Sequence, residues 1–333
     1  MKKYFFVLFS LSLALSSPLP APYFFKNGSL VDVQDAATMP LEDHFQLGMD
    51  AMKEKKWLDA IQQFRIITLN FASSELGKEA FYYLGVSYYH AGDADLANKK
   101  LSAYLEQSST PHNFTEAFHY KLRIADAFKN GARKHLFNQE KLPRWFAERD
   151  QALKIYDEIV AAFPSHDLGA KALFSKAELL HQTENFKAAI EAYQAVIKKF
   201  PKRDMAAQSY LQISKLLLDE SRIEFQNPDL IPLAEMNLKR FSKDFPKASE
   251  QHLQAQANTN EIKELFATGL YETAKLYERK GKLKAAVLYY HQAITEFPQT
   301  KIAKECTLRL HTLDSYAQEM ELLPNDKQSL TND

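Results

Sequence analysis

The chain has a single cysteine, Cys306, so neither a disulfide nor a multi-cysteine metal site can form within it. A reactive thiol wants basic neighbours in a partly open site. Between Glu305 and Thr307, Cys306 reads instead as a small apolar filler on a helix. Ser165, His166 and Asp167 carry the right groups for nucleophilic catalysis, but adjacent residues point in different directions and a triad depends on geometry. The ten histidines are scattered without ligand spacing, and neither a Gly-rich phosphate loop nor a His-Glu-x-x-His run is present. These observations predict no enzyme, no cofactor and no metal. Asn27-Gly-Ser and Asn113-Phe-Thr match glycosylation acceptors, a triplet that is common by chance.

What remains is recognition chemistry, and composition bounds it. The 333 residues balance 42 Lys+Arg against 42 Asp+Glu, so the basic excess that sequence-independent nucleic-acid binding draws on is missing. Only 9 Gly and 13 Pro are available to punctuate turns, too few for an all-β chain, while 16 Tyr and 23 Phe demand close packing. Residues 1–16 have the form of a signal peptide: Lys2 and Lys3, then an apolar run too short to span a bilayer, then Ala14 and Ser16. Export from the cytoplasm is the expectation, and 17–41 reads as an extended linker.

From Leu41 onward the apolar residues recur with helical period and the helices come in pairs. Each second helix carries an Ala with a large residue four positions on: Ala60 with Phe64, Ala97 with Leu101, Ala152 with Tyr156, Ala189 with Tyr193, Ala234 with Leu238 and Ala286 with Tyr290. Ala60 to Ala97, Ala152 to Ala189 and Pro164 to Pro201 are each 37 residues apart, and the other gaps are the same unit with insertions. Phe-Pro closes four units, because Pro lacks an N–H and disfavours helix in the residue before it. Twelve residues before the Ala stand Gly48, Gly85, Ala177 and Ala274, small residues that let the two helices of a pair approach.

This pattern resembles the tetratricopeptide repeat, most closely in Phe81-x-x-Leu84-Gly85-x-x-Tyr88 with Ala97 and in Leu47-Gly48 with Ala60 and Phe64. The resemblance implies an all-α, right-handed superhelical solenoid of about six repeats with a C-terminal capping helix. Units one to three are expected over 42–170 with a loop inserted at 131–148. Units four to six plus the cap follow over 171–318, then a disordered tail at 319–333.

The order of units is similar to the BamD family of outer-membrane protein assembly factors. The likeness runs through Lys55-Lys56-Trp57-Leu58-Asp59-Ala60, Leu84-Gly85 to Ala97 and Arg149-Asp150 to Ser165, and returns in Thr273 to Thr300. Two departures stand out: no lipobox cysteine follows the signal segment, and residues 171–260 supply extra repeats. The resemblance implies a scaffold at the periplasmic face of the outer membrane that binds unfolded barrel proteins and a POTRA-bearing barrel assembly protein. It would be held there through partners, since no stretch after the signal segment is apolar enough for a transmembrane helix. A periplasmic adaptor of the cell-division coordinator type is the alternative, although that family's N-terminal coiled coil is missing here. A hydrolase with a helical-repeat body is disfavoured, because no second domain remains to hold a site.

The groove-facing positions of tetratricopeptide first helices map to Glu42, Phe45, Met49, Met52 and Lys53, then Glu79, Tyr82, Val86, Tyr89 and His90, then His119, Leu122, Asp126 and Lys129. Phe45, Met49, Tyr82 and Tyr89 offer a surface for an aromatic-rich peptide, and Lys53, His90 and Lys129 could meet its terminal carboxylate. The inserted loop, with Arg133, Lys134, Lys141, Arg144 and Arg149 interleaved with Phe137 and Trp145, is either a docking loop or a solvated loop. The solvated reading, with Trp145 tucked into the core, is preferred. By the resemblance, Tyr277 and Arg279 of the closing unit would face the POTRA partner.

Overall fold

The computed structural model describes residues 23–26, 29–32, 36–107, 111–136, 143–223, 227 and 229–322. The signal-peptide expectation falls outside these residues. Among them are thirteen α-helices and two short hairpins, and the chain divides into two units, Met1–Glu148 and Arg149–Asp333.

Unit 1 opens with an antiparallel pair, β1 (Tyr23–Lys26) and β2 (Ser29–Asp32), within the segment read as an extended linker. Residues 27–28 join strands whose Phe24-Phe25 and Leu30-Val31 suit a pleated ladder. Then come the helical pairs α1 (Leu41–Lys53) with α2 (Trp57–Asn70) and α3 (Glu75–His90) with α4 (Ala94–Glu106), and the first helix of a third pair, α5 (Phe114–Lys129). The inserted segment holds β3 (Arg133–His135) and β4 (Arg144–Ala147), paired antiparallel. Unit 2 contains α6 (Arg149–Ala162), α7 (Asp167–Gln182) with α8 (Phe186–Lys199), α9 (Asp204–Ile223) with α10 (Leu230–Asp244), α11 (Ser249–Arg279) with α12 (Leu283–Glu296), and α13 (Lys301–Leu322). The division falls at 148/149 rather than at 170/171 because α6, the second helix of the interrupted pair, packs on α7. The cap is longer than expected, running to Leu322, so the first residues of the supposed tail are helical.

Packing within a pair follows the small-residue rule. A Cβ on Gly85 would lie 2.7 Å from Leu101 Cγ, and one on Gly48 would lie 2.8 Å from Phe64 Cζ. Ala60, Phe64, Ala97, Leu101, Ala177, Ala189, Tyr193, Ala274, Ala286 and Tyr290 are all fully buried. Each burial removes apolar surface from water at about 25 cal/mol per Å².

The turn inside a pair is also repeated. After α1, α3 and α7 the chain makes the same three backbone bonds, as in Ala91 N to Ser87 O, Gly92 N to Tyr89 O and Asp93 N to Tyr88 O. The middle residue is left-handed: Gly92 at φ 79°, but Lys55 at 59° and Glu184 at 57°. Between pairs, Phe71-x-Ser-x-Glu-Leu-Gly77 and Phe163-x-Ser-x-Asp-Leu-Gly169 share a second device. The Phe carbonyl oxygen occupies the place where a Cβ of that Gly would stand, 1.8 Å and 1.9 Å away. Only glycine fits there.

Candidate functional site: the first-helix face of unit 1

The first helices α1, α3 and α5 lie side by side, and their rings form one connected series. Phe45 meets Phe64 and Tyr83 edge-on at 5.8 and 5.6 Å, and Tyr83 stacks on Phe64 at 5.5 Å. Tyr82 contacts Tyr83, Tyr104 and Tyr120. Tyr120 also meets Tyr89 at 5.4 Å and His90 at 5.9 Å, and His90 stacks on Trp57 with centroids 4.4 Å apart and planes 13° off parallel. Arg123 sits over Tyr120 at 5.4 Å, a cation–π placement.

Burial sorts these rings by role. Tyr82 is 8 % exposed and Val86 3 %, so both are packing residues here and do not offer a face to a ligand. Loss of water and the neighbouring Tyr120 push the Tyr82 phenol far above its ordinary pKa, so it stays neutral. Phe45 and Met49 are half-buried, and the Phe45 ring is spent on contacts with Phe64 and Tyr83. The open end of the series is Tyr89, His90, Tyr120 and Arg123, of which His90 and Arg123 are exposed.

The expected carboxylate contacts are arranged differently. Lys53 is paired with Asp50 at 2.8 Å, and the Lys129 side chain is largely covered, 3.9 Å from Asp126. The His90 pKa is lowered, first by loss of water and then by Arg123, so at neutral pH its imidazole carries no charge. Among the described residues, the cation over the open rings is Arg123. Tyr120 and Arg123 stand one residue beyond the expected His119 and Leu122. The insertion between α5 and Ala152 leaves no Ala twelve residues on from which to count. Trp57 was hidden because it opens a second helix.

Glu79, another expected groove residue, anchors a polar knot. It accepts from Tyr104 Oη at 3.1 Å and from Asn113 Nδ2 at 2.9 Å. The second glycosylation triplet therefore has its amide engaged, while Asn27 lies outside the described residues. His166 of the adjacent Ser-His-Asp run is a helix cap, its Nδ1 accepting from Leu168 N at 3.2 Å. Cys306 is fully buried and its thiol is pushed up to about 11 by burial, which suits a filler.

The inserted hairpin docks on the α3–α4 turn. His135 Nε2 is 2.7 Å from Asp93 Oδ2, the His135 amide donates to Asp95 Oδ2 at 3.1 Å, and Arg144 donates to the Gly92 carbonyl. His135 and Arg144 are cross-strand partners facing that turn. Trp145, one residue on, consequently points the other way and is 62 % exposed. The reading that tucked it into the core is overturned. In unit 2, Tyr277 stacks on Tyr289 at 5.4 Å and Arg279 is exposed.

Among the described residues no cluster of three or more His, Cys, Asp or Glu could hold a metal ion, and no helix is long and apolar enough to cross a membrane.

A tetratricopeptide-repeat family model matches residues 45–110 and 147–204, and a second matches 269–300. No curated protein matches the chain. Among solved structures, a tetratricopeptide repeat protein from Parabacteroides merdae is 12 % identical, with 80 % of this chain and 96 % of that chain covered and a TM-score of 0.36. A repeat protein from Bacteroides fragilis is 13 % identical, covering 83 % of this chain and 100 % of that one, with a TM-score of 0.40. The matched segments cover α1 to α4, α6 to α8, and α12 with the end of α11, and the fold is an all-α tetratricopeptide-repeat array.

Proposed function

We infer from this repeat architecture that the protein is an interaction scaffold, and that the first-helix face of unit 1 receives a segment of another polypeptide. The observation that carries the reading is the open end of the ring series: Tyr89, His90 and Tyr120 present aromatic surface, and Arg123 places beside it a guanidinium that makes no ion pair among the described residues. Aromatic pairs contribute about 0.5–1.5 kcal/mol each beyond area burial. A guanidinium adds a bidentate partner for a carboxylate. The arrangement suits an extended peptide that ends in an aromatic residue and a free carboxyl group.

The resemblance to the BamD family supports a narrower proposal. The client is the C-terminal segment of unfolded outer-membrane barrel proteins, and Tyr277 and Arg279, with Arg144 and Trp145, are docking residues for a POTRA-bearing partner. The protein acts at the periplasmic face of the outer membrane, held by its partners. Labelled barrel-derived peptides ending in Phe should bind the full chain, and Arg123→Ala with Tyr120→Ala should weaken them about tenfold or more. Amidation of the peptide terminus should cost as much as Arg123→Ala. Equal binding of the free and amidated peptides to both proteins would remove the groove assignment. Affinity purification from solubilised envelope tests the narrower role: the POTRA-bearing protein should be recovered, and its absence in favour of cell-division proteins would select the adaptor reading.

A further inference from the structure

Unit 2 carries a groove of about 300 Å³ between the second helices α8 and α10, floored by α9. Ile197 and Ile213 form part of its lining, and Leu233 and Met236 stand on its α10 wall, three residues apart on one helix face. Those two remain 41 % and 43 % exposed, although α10 already buries Leu230, Ala234 and Phe241 in the core. They are surplus to the packing of this chain.

The rim is basic. Lys198 and Arg240 line the groove and are exposed, and among the described residues neither makes an ion pair. The carboxylates on α10 are already engaged: Glu235 pairs with Lys263 at 2.6 Å, and Asp244 accepts from the Tyr210 hydroxyl at 2.6 Å. The groove therefore joins an apolar floor to two cations, Lys198 and Arg240, that make no ion pair among the described residues.

We propose that this groove docks a partner-protein segment that presents large apolar side chains at helical spacing and flanks them with carboxylates. Leu233 and Met236 take up the apolar anchors, with Met adapting its shape to the partner. Lys198 and Arg240 select acidic flanks and reject basic ones. The site is distinct from the unit 1 face and does not depend on it.

The test uses the full chain and two synthetic amphipathic peptides with the same Leu and Phe stripe, one Glu-rich and one Lys-rich on the remaining positions. Fluorescence anisotropy should show binding of the Glu-rich peptide alone, weakening with added salt. Leu233→Asp with Met236→Asp, and separately Lys198→Glu with Arg240→Glu, should each weaken it about tenfold or more, whereas Tyr120→Ala should not. If the apolar double variant fails to fold, the charge-reversed pair carries the test alone. Equal binding of the two peptides, binding of neither, or unchanged affinity in the charge-reversed variant would overturn the proposal. Self-association abolished by Leu233→Asp would assign the groove to a second copy instead. Cosedimentation with anionic vesicles abolished by Lys198→Glu with Arg240→Glu would assign it to lipid; either result overturns the peptide reading.

Discussion

At the scale of single residues, His90 is held neutral by its surroundings. Loss of water and the Arg123 guanidinium lower its pKa below the ordinary value of 6.5. The folded chain thus binds this proton less readily than the unfolded one. The stability associated with the neutral ring is complete above about pH 6.5 and is lost as pH falls toward the folded midpoint. An NMR titration should place the His90 midpoint below 6.5. Arg123→Ala should raise it only part of the way, because desolvation is the larger cause; an unmoved midpoint would show that Arg123 exerts no field there. Lys55 and Glu184 illustrate a different residue-scale cost. Both hold the left-handed turn conformation that Gly92 adopts without strain, and that conformation costs a residue with a side chain about 1–2 kcal/mol. Lys55→Gly and Glu184→Gly should each stabilise the protein by up to about 1 kcal/mol in denaturant titrations, since part of the gain is returned as unfolded-chain entropy.

At the scale of elements, the capping helix α13 is held by two carboxylates of α11. Glu264 accepts from the Lys301 and Ile302 amides at 2.9 and 3.0 Å, while Thr300 accepts from Ala303 N at 3.1 Å, so the N-terminus of α13 is covered by a charge of the favourable sign. Further on, Glu278 takes the Arg309 guanidinium and the Tyr290 hydroxyl, and Arg309 holds its carboxyl below the usual range. That contribution is present above the ordinary glutamate pKa and fades as the solution is acidified. Glu264→Ala should cost about 1 kcal/mol and raise hydrogen exchange in the first turn of α13. Unaltered exchange there would mean that Thr300 suffices. The elements themselves were legible because their signals are redundant: the 37-residue spacing of Ala60 with Ala97 and Ala152 with Ala189, and the Phe-Pro stops, each announce the same pairs. Tyr89 and His90 were legible too, being counted from Leu84-Gly85. Tyr120 and Arg123 were missed because the insertion breaks the count in the third pair. The β-hairpins were missed because strands of three or four residues have too short a period to stand out. The turns at Lys55 and Glu184 were hidden because their residue types carry no mark of a left-handed conformation.

At the scale of the whole molecule, helices pack chiefly on their neighbours in sequence within each unit, as α1 on α2, α2 on α3 and α3 on α4, then α7 on α8 and α8 on α9. Such arrays hold together by nearest-neighbour terms, and long ones lose all-or-none behaviour. Scanning calorimetry should therefore give a van't Hoff enthalpy smaller than the calorimetric one; equality of the two would show a single cooperative block. The whole chain contains just two tryptophans, and the folding of its elements has sent them to opposite fates. Trp145 stands in solvent on the inserted hairpin, while Trp57 lies flat against the His90 imidazole. Intrinsic emission consequently comes in two colours, and protonated imidazole dims the second. With Trp145→Phe the protein becomes a single-channel optical sensor, in which anything that settles on His90 changes the brightness of Trp57 without a dye being attached.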